Sequence, residues 1–299
     1  MIKVKSIILL ALMALVFVTS CKKDEEAPVS TNGNLNIEIS GLEDLGSDYA
    51  YEGWIIVDGK AISSGVFEVD ATGMMSKTSF EVALSDLNAA STYVLTIEPN
   101  RDTDPNPSSV HVLAGDIDGG SASLSVAHGA ALGNDFSSST GAYILATPTD
   151  GGSETDENSG VWWLDPSAGP AASLDLPVLP AGWAYEGWAV VDGIPISTGR
   201  FLSTSGADQS DIYSGQSADA PPFPGEDLLM NAPNGVSFPT DLAGKTVVIS
   251  VEPQPDNSAA PFLLKPLVGA VPSDATDRTL YQMSNNAANT NPSGMAKKK

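Results

Sequence analysis

Two glutamates of this chain stand in the same local setting, and two more precede equivalent prolines. Glu52 lies in Tyr51-Glu52-Gly53-Trp54 and Glu186 in Tyr185-Glu186-Gly187-Trp188; Glu98 precedes Pro99 and Glu252 precedes Pro253. Paired carboxylates across one cleft are the machinery of glycoside hydrolysis, one as acid and the other as base or nucleophile. The competing use is architectural: a carboxylate in each copy accepts backbone or Tyr/Trp hydrogen bonds and fixes the motif. The architectural use is expected here, because nothing in the spacing sets two glutamates across a cleft. Other chemistries lack their residues. The two histidines are His111, in a predicted strand, and His128, beside a turn. There is no Gly-x-Ser-x-Gly elbow, no zinc-ligand spacing and no phosphate loop. No enzyme activity is expected.

Acidic residues dominate the charge, 37 Asp and Glu against 14 Lys and Arg, for a net charge of −23. Such a surface repels nucleic acid, so none is expected as a partner. Between residues 27 and 296 the basic residues are Lys60, Lys77, Arg101, Arg200, Lys245, Lys265 and Arg278. Most carboxylates must therefore be solvated or bind cations. Asp102-x-Asp104-x-Asn106 and Asp116-x-Asp118-Gly119 resemble fragments of calcium loops. Pro107 replaces the loop glycine in the first, and both lack the distal glutamate. Solvated turns are the expected reading and calcium the alternative; no other cofactor is implied. Trp162, Trp163 and Phe223 are candidates for an aromatic binding surface, against a competing role in the core.

The single cysteine, Cys21, ends a distinctive N-terminus. Lys3 and Lys5 precede an unbroken apolar run, Ile7 to Val18. It suits the core of a signal peptide and is short of the roughly 20 residues of a membrane-spanning helix. Val18-Thr19-Ser20-Cys21 looks like a lipobox, so residues 1–20 are expected to be removed and Cys21 lipidated as the membrane anchor. Lys22-Lys23-Asp24-Glu25-Glu26 resembles the signal that exports some lipoproteins to the outer face of the outer membrane. The expected location is the bacterial outer membrane, surface-exposed or facing the periplasm.

The elements that must position these residues are organised as a repeat. From the Tyr-Glu-Gly-Trp motif, at an offset of 185 − 51 = 134, Val57-Asp58-Gly59 answers Val191-Asp192-Gly193, and Gly65 and Phe67 answer Gly199 and Phe201. At an offset of 252 − 98 = 154, Val94 to Pro99 answers Val248 to Pro253. The difference implies an insertion in the second copy, placed at 208–235. In Tyr49 to Val57, Tyr49, Tyr51, Ile55 and Val57 share one face of a strand, while Trp54 and Ile56 share the other with Glu52. Asp58-Gly59 and Asp192-Gly193 are two-residue hairpin turns, and Gly65 and Gly199 suggest bulges in the return strands. The fold expected is all-β: two tandem β-sandwich-like domains. The divisions are a signal peptide (1–20), a lipidated tether (21–33), a first repeat (34–148) and an acidic linker or hairpin loop (149–160). A second repeat with a Pro-rich insertion (161–283) and a disordered tail (284–299) complete the chain.

The order Tyr-Glu-Gly-Trp, Val-Asp-Gly, Ser-x-Gly-x-Phe and Val-x-x-x-Glu-Pro, present twice, resembles the extracytoplasmic C-terminal domain of anti-sigma-K factors. The likeness covers about residues 48–117 and 182–270. It implies a β-rich exported module. Inhibition of a sigma factor is not carried over, since a lipid anchor at Cys21 leaves no cytoplasmic segment to hold one. The function expected is a lipid-anchored binding or sensing module for an extracytoplasmic protein or glycan. The alternatives are an envelope enzyme acting on polysaccharide through the repeated glutamates and a purely structural surface protein.

Overall fold

The computed structural model describes residues 31–256 and 258–299; Cys21 and the rest of the expected signal and tether before residue 31 lie outside them. The first strands are β1 (Asn32–Ser40), β2 (Tyr49–Val57), β3 (Lys60–Phe67), β4 (Ser79–Ala83), β5 (Thr92–Pro99), β6 (His111–Asp116) and β7 (Ser121–Ser125), with a short helix α1 (Leu84–Ala89). Next come β8 (Thr140–Leu145), β9 (Gly160–Trp162), β10 (Leu164–Asp165), β11 (Ala171–Ala172) and β12 (Leu174–Asp175). The second copy of the motif occupies β13 (Trp183–Val191), β14 (Ile194–Phe201), β15 (Gly225–Asp227), β16 (Thr246–Pro253) and β17 (Leu267–Ala270). The chain closes with β18 (Tyr281–Gln282), β19 (Ser284–Asn285), α2 (Ala287–Thr290) and β20 (Ser293–Lys298).

The fold is all-β and antiparallel, and the duplication is structural. The first sheet runs β3-β2-β5-β6-β7-β20-β1-β4, and a second runs β14-β13-β16-β17-β19. The order β3-β2-β5-β6 is repeated as β14-β13-β16-β17. A third sheet, β12-β8-β9-β15, has β18 beside β8. The face of β2 with Tyr51 and Ile55 packs into the main core, together with Tyr93, Leu95 and Ile97 of β5. Trp54 packs on the opposite face with Val94 and Ala114. That division is the one the alternation of residues predicts.

Local turns follow their residue chemistry. Asp58 and Asp192 take φ of 49° and 52°, and the glycines after them are also positive, which matches the right-handed twist of two-residue hairpins. Gly53 pairs with Gly65 and Trp54 with Ser63, leaving Ser64 as the extra residue of a bulge. The register shifts at the equivalent place between Glu186 and Trp188. Gly65 and Gly199 have φ of 132° and 108° there, a region that a side chain would strain.

Two expectations about organisation are corrected, and one of two alternatives for 149–160 holds. Residues 284–299 are not a disordered tail: β20 lies between β7 and β1, with Ala296 opposite both Ile37 and Ala122. Residues 149–160 are the loop of a hairpin, because Leu145 of β8 pairs with Val161 of β9. The copies are not a simple tandem pair. Asn32–Lys299 forms one compact unit, one apolar core runs from Leu35 to Ala296 through both, and β8 joins the strands of the second copy.

Removing 293–299 should therefore destabilise the whole unit. The truncated chain leaves β7 and β1 without the strand that joins them. A fall in melting temperature of about 10 °C or more is expected, at about 2–4 °C per kcal/mol for a domain of this size. An unchanged melting curve would contradict the placement of β20.

Candidate functional site

Each residue of the repeated motif has the same task in both copies. Tyr51 stacks on Phe67 and Tyr185 on Phe201, each pair with ring centroids 5.6 Å apart. Their hydroxyls donate to a carbonyl eight residues upstream, Glu43 O at 3.1 Å and Pro177 O at 2.6 Å. The middle glycines lie under aromatic side chains: a Cβ on Gly53 would run into the Tyr93 hydroxyl, and one on Gly187 into the Trp163 ring. Trp163 lies upstream of the repeated motif and covers in the second copy what Tyr93 covers in the first.

The tryptophans and glutamates form a relay. Trp54 Nε1 donates to Thr96 Oγ1 at 2.9 Å, and Trp188 Nε1 to Ser250 Oγ at 2.8 Å. Each hydroxyl in turn donates to the carboxyl two residues on, Glu98 or Glu252. A loop N–H ten residues further along completes the set: Ser108 N donates to Glu98 Oε1 at 2.8 Å, and Phe262 N to Glu252 Oε1 at 2.9 Å. Glu52 and Glu186 accept from Ser63 and Ser197 of the hairpin partner. The repeated glutamates thus tie strand to strand.

Around Glu186 and Glu252 the second copy gathers a charged cluster. Arg200 Nε lies 2.9 Å from Glu186 Oε2, and its terminal nitrogen lies 2.7 Å from Asp256 Oδ2. Glu186, Glu252 and Asp256 each offer an oxygen within 4.8 Å of the others. Burial pushes the Glu252 carboxyl up to about 8 against the bonds from Ser250 and Phe262. For Arg200 burial works downward, but the bond to Glu186 and the surrounding negative charge hold it above its ordinary value.

A second acidic group lies at the insertion of the second copy and was not legible in the sequence. Asp227 accepts from Thr149 N at 2.7 Å and Trp162 Nε1 at 2.8 Å. Glu226 accepts from Tyr213 N, Ser214 N and the Ser210 hydroxyl. Asp208 accepts from Gly225 N at 2.8 Å. Burial raises Asp208 to about 6 and Glu226 to about 7. A cavity of about 500 Å³ beside them is lined by Trp162, Asp208, Ser210, Pro221 and Phe223.

The aromatic candidates divide accordingly. Trp162 and Trp163 are buried and do not form an exposed platform. Phe223 is partly buried against the Trp162 cluster, at the edge of that cavity. The calcium candidates form turns: Asp104 N donates to Asp102 Oδ1 at 2.9 Å and Asn106 N to Asp104 Oδ1 at 3.0 Å. Asp116 accepts from Thr92 and lies 3.4 Å from His128 Nε2. Asp118 closes a backbone turn with Ser121. These loops are exposed. His111 Nδ1 lies 2.8 Å from Ala130 O.

No family model, curated protein or solved structure matches the chain.

Two outcomes follow. Glu43, raised by burial to about 7, joins Asp208, Glu226 and Glu252 in holding protons that an unfolded chain releases near pH 4 to 4.5. The folded state then binds more protons than the unfolded state between about pH 5 and 8, so stability falls as pH rises. Melting should be higher at pH 5 than at pH 8, and Glu252→Gln should flatten the upper part of that slope. A melting temperature that climbs over this interval would refute the assignment. Separately, Gly187→Ala should cost about 1–3 kcal/mol in denaturant unfolding, as overpacking against Trp163; a neutral result would deny the close approach.

Proposed function

We propose that this chain is a lipid-anchored envelope protein whose duplicated β motif forms a binding or sensing module for an extracytoplasmic partner. The observation that carries this reading is the engagement of the motif glutamates. In both copies the same hydroxyls and loop N–H groups hold Glu52, Glu98, Glu186 and Glu252. Three of the four are buried, an arrangement that favours a scaffold over a pair of catalytic carboxylates facing a substrate. The apolar run before Cys21 and the charges after it support the anchor and its export. The likeness to the extracytoplasmic domain of anti-sigma-K factors supports an exported β module, with no sigma factor bound by this chain.

The exposed surface favours a protein as the partner. Val178 and Leu202 are 92% and 66% exposed. At the offset of 134 (178 − 44), their counterparts in the first copy are Asp44 and Glu68. A protein contact made through these two side chains would bury apolar area that the first copy does not offer.

In cells, Cys21→Ser should move the chain from the membrane fraction to the soluble fraction and abolish acyl labelling. Cross-linking in intact cells should recover a partner that Val178→Asp with Leu202→Glu loses and Glu52→Gln with Glu186→Gln keeps. Turnover of an envelope polysaccharide that disappears in the folded glutamate variant would replace this reading with an enzymatic one.

A further inference from the structure

The second copy commits buried carboxyl groups to a loop that the first copy lacks. Between Phe201 and Val248 it is longer than its counterpart by 154 − 134 = 20 residues. The added stretch ends in β15, which pairs with β9, and there Glu226 and Asp227 are fully buried. Glu226 accepts from the Tyr213 and Ser214 N–H groups and from the Ser210 hydroxyl. Asp227 accepts from the N–H and the hydroxyl of Thr149. Thr149 Oγ1 in turn accepts from Gly215 N at 2.7 Å. Asp208 accepts from Ser210 N at 3.0 Å and Gly225 N at 2.8 Å. Gly215 runs so close to Thr149 that a Cβ on it would stand 2.1 Å from the Thr149 carbonyl oxygen.

Taking a carboxyl group out of water is costly unless donors meet it, and here the donors are backbone groups of the loop itself. Residues 208–217 are therefore held in one shape, and a binding surface shaped in advance loses little freedom when a ligand arrives. What this loop encloses is the cavity of about 500 Å³, a volume inside the range of about 300–1,000 Å³ usual for small-molecule sites.

The lining selects the class of ligand. Trp162, Pro221 and Phe223 supply apolar surface, while Gln209, Asp211 and Ser214 supply polar groups. No hydrogen bond occupies the Asp211 carboxylate or the Gln209 amide group, and both residues are exposed. Among the described residues that line the cavity there is no Lys, Arg or His, so an anion would meet carboxylates and no counter-charge. A carboxylate only accepts, so the ligand must bring donors. Burial favours the neutral forms of Asp208 and Glu226, which lowers the standing charge and suits neutral hydroxyl donors over a cation. We propose that this cavity binds a neutral saccharide, its hydroxyl groups on Asp211 and Gln209 and a C–H face of a sugar ring against Phe223 and Pro221. The site does not rest on the protein contact proposed above, because neither Val178 nor Leu202 lines the cavity.

The test uses the full chain and a set of neutral oligosaccharides (glucans, mannans, xylans and N-acetylglucosamine oligomers), with putrescine as the cationic comparison and calorimetric titration as the readout. At least one neutral oligosaccharide should bind saturably, and putrescine should not displace it. Trp162 lines the cavity, so the same titration should change tryptophan emission. Phe223→Ala and Asp211→Ala should each weaken binding by about tenfold or more, a ratio equivalent to about 1.4 kcal/mol. Asp175→Ala, at an exposed acid outside the lining, should leave it unchanged. If Phe223→Ala does not melt cooperatively, Asp211→Ala, at an exposed position, decides. Three results would overturn the proposal: no saturable binding to any member of the set, binding of putrescine in place of a saccharide, or a saccharide affinity that the folded cavity variants leave unchanged.

Discussion

A glutamate carboxyl group buried in the middle of a sheet is the constraint around which each copy is built. Leaving such a group without donors is expensive, and the expense grows with burial. Glu98 and Glu252 are met by a hydroxyl two residues earlier on the same strand and by an N–H from the loop that follows. The hydroxyl is itself fixed by an indole on the neighbouring strand. Tryptophan, hydroxyl, glutamate and loop therefore depend on one another, and the motif is repeated as a set. The other features that the two copies share serve the same neighbourhood: the glycine lets an aromatic ring approach, and the bulge opposite it absorbs the extra residue.

The copies solve the charge of this neighbourhood differently. In the second, Arg200 draws Glu186 and Asp256 together, and Glu252 sits in a field of like charge that, with burial, favours its neutral form. In the first, Val66 stands at the corresponding place, and among the described residues no basic side chain pairs with Glu52, Glu98 or Asp102. The second copy is also more deeply enclosed, because β8, β9 and the insertion fold over it, with Trp163 lying on Gly187. One copy thus meets its acids with a guanidinium, and the other does not.

Much of the scaffold was legible because its causes are local. Asp58-Gly59 and Asp192-Gly193 specify their turns, the alternation in Tyr49 to Val57 assigns its two faces, and Gly65 and Gly199 mark bulges. What the sequence hid is non-local. Ser293 to Lys298 is polar and Lys-rich, with Ala296 as its one fully buried residue, so no pattern announces a strand; its place comes from two partners more than a hundred residues away. The strands of the third sheet are two to six residues long, too short for a periodic signal. Arg200, Glu186 and Asp256 come from three segments, and the charge cluster exists only once those segments meet. Its one sequence trace is the exchange of Val66 for Arg200 between return strands that share an Ile-Ser pair, a glycine and a phenylalanine. Asp208, Glu226 and Asp227 left no such trace, since an acidic residue in an inserted loop reads as solvated.

The titration of Glu252 tests the central claim most directly. If a buried carboxyl group organises the motif, the side-chain carbon resonance of Glu252 in the folded protein should titrate near pH 8. A midpoint near the ordinary glutamate value of about 4.3 would contradict the account, because the group would then be solvated and the relay around it would have nothing to satisfy.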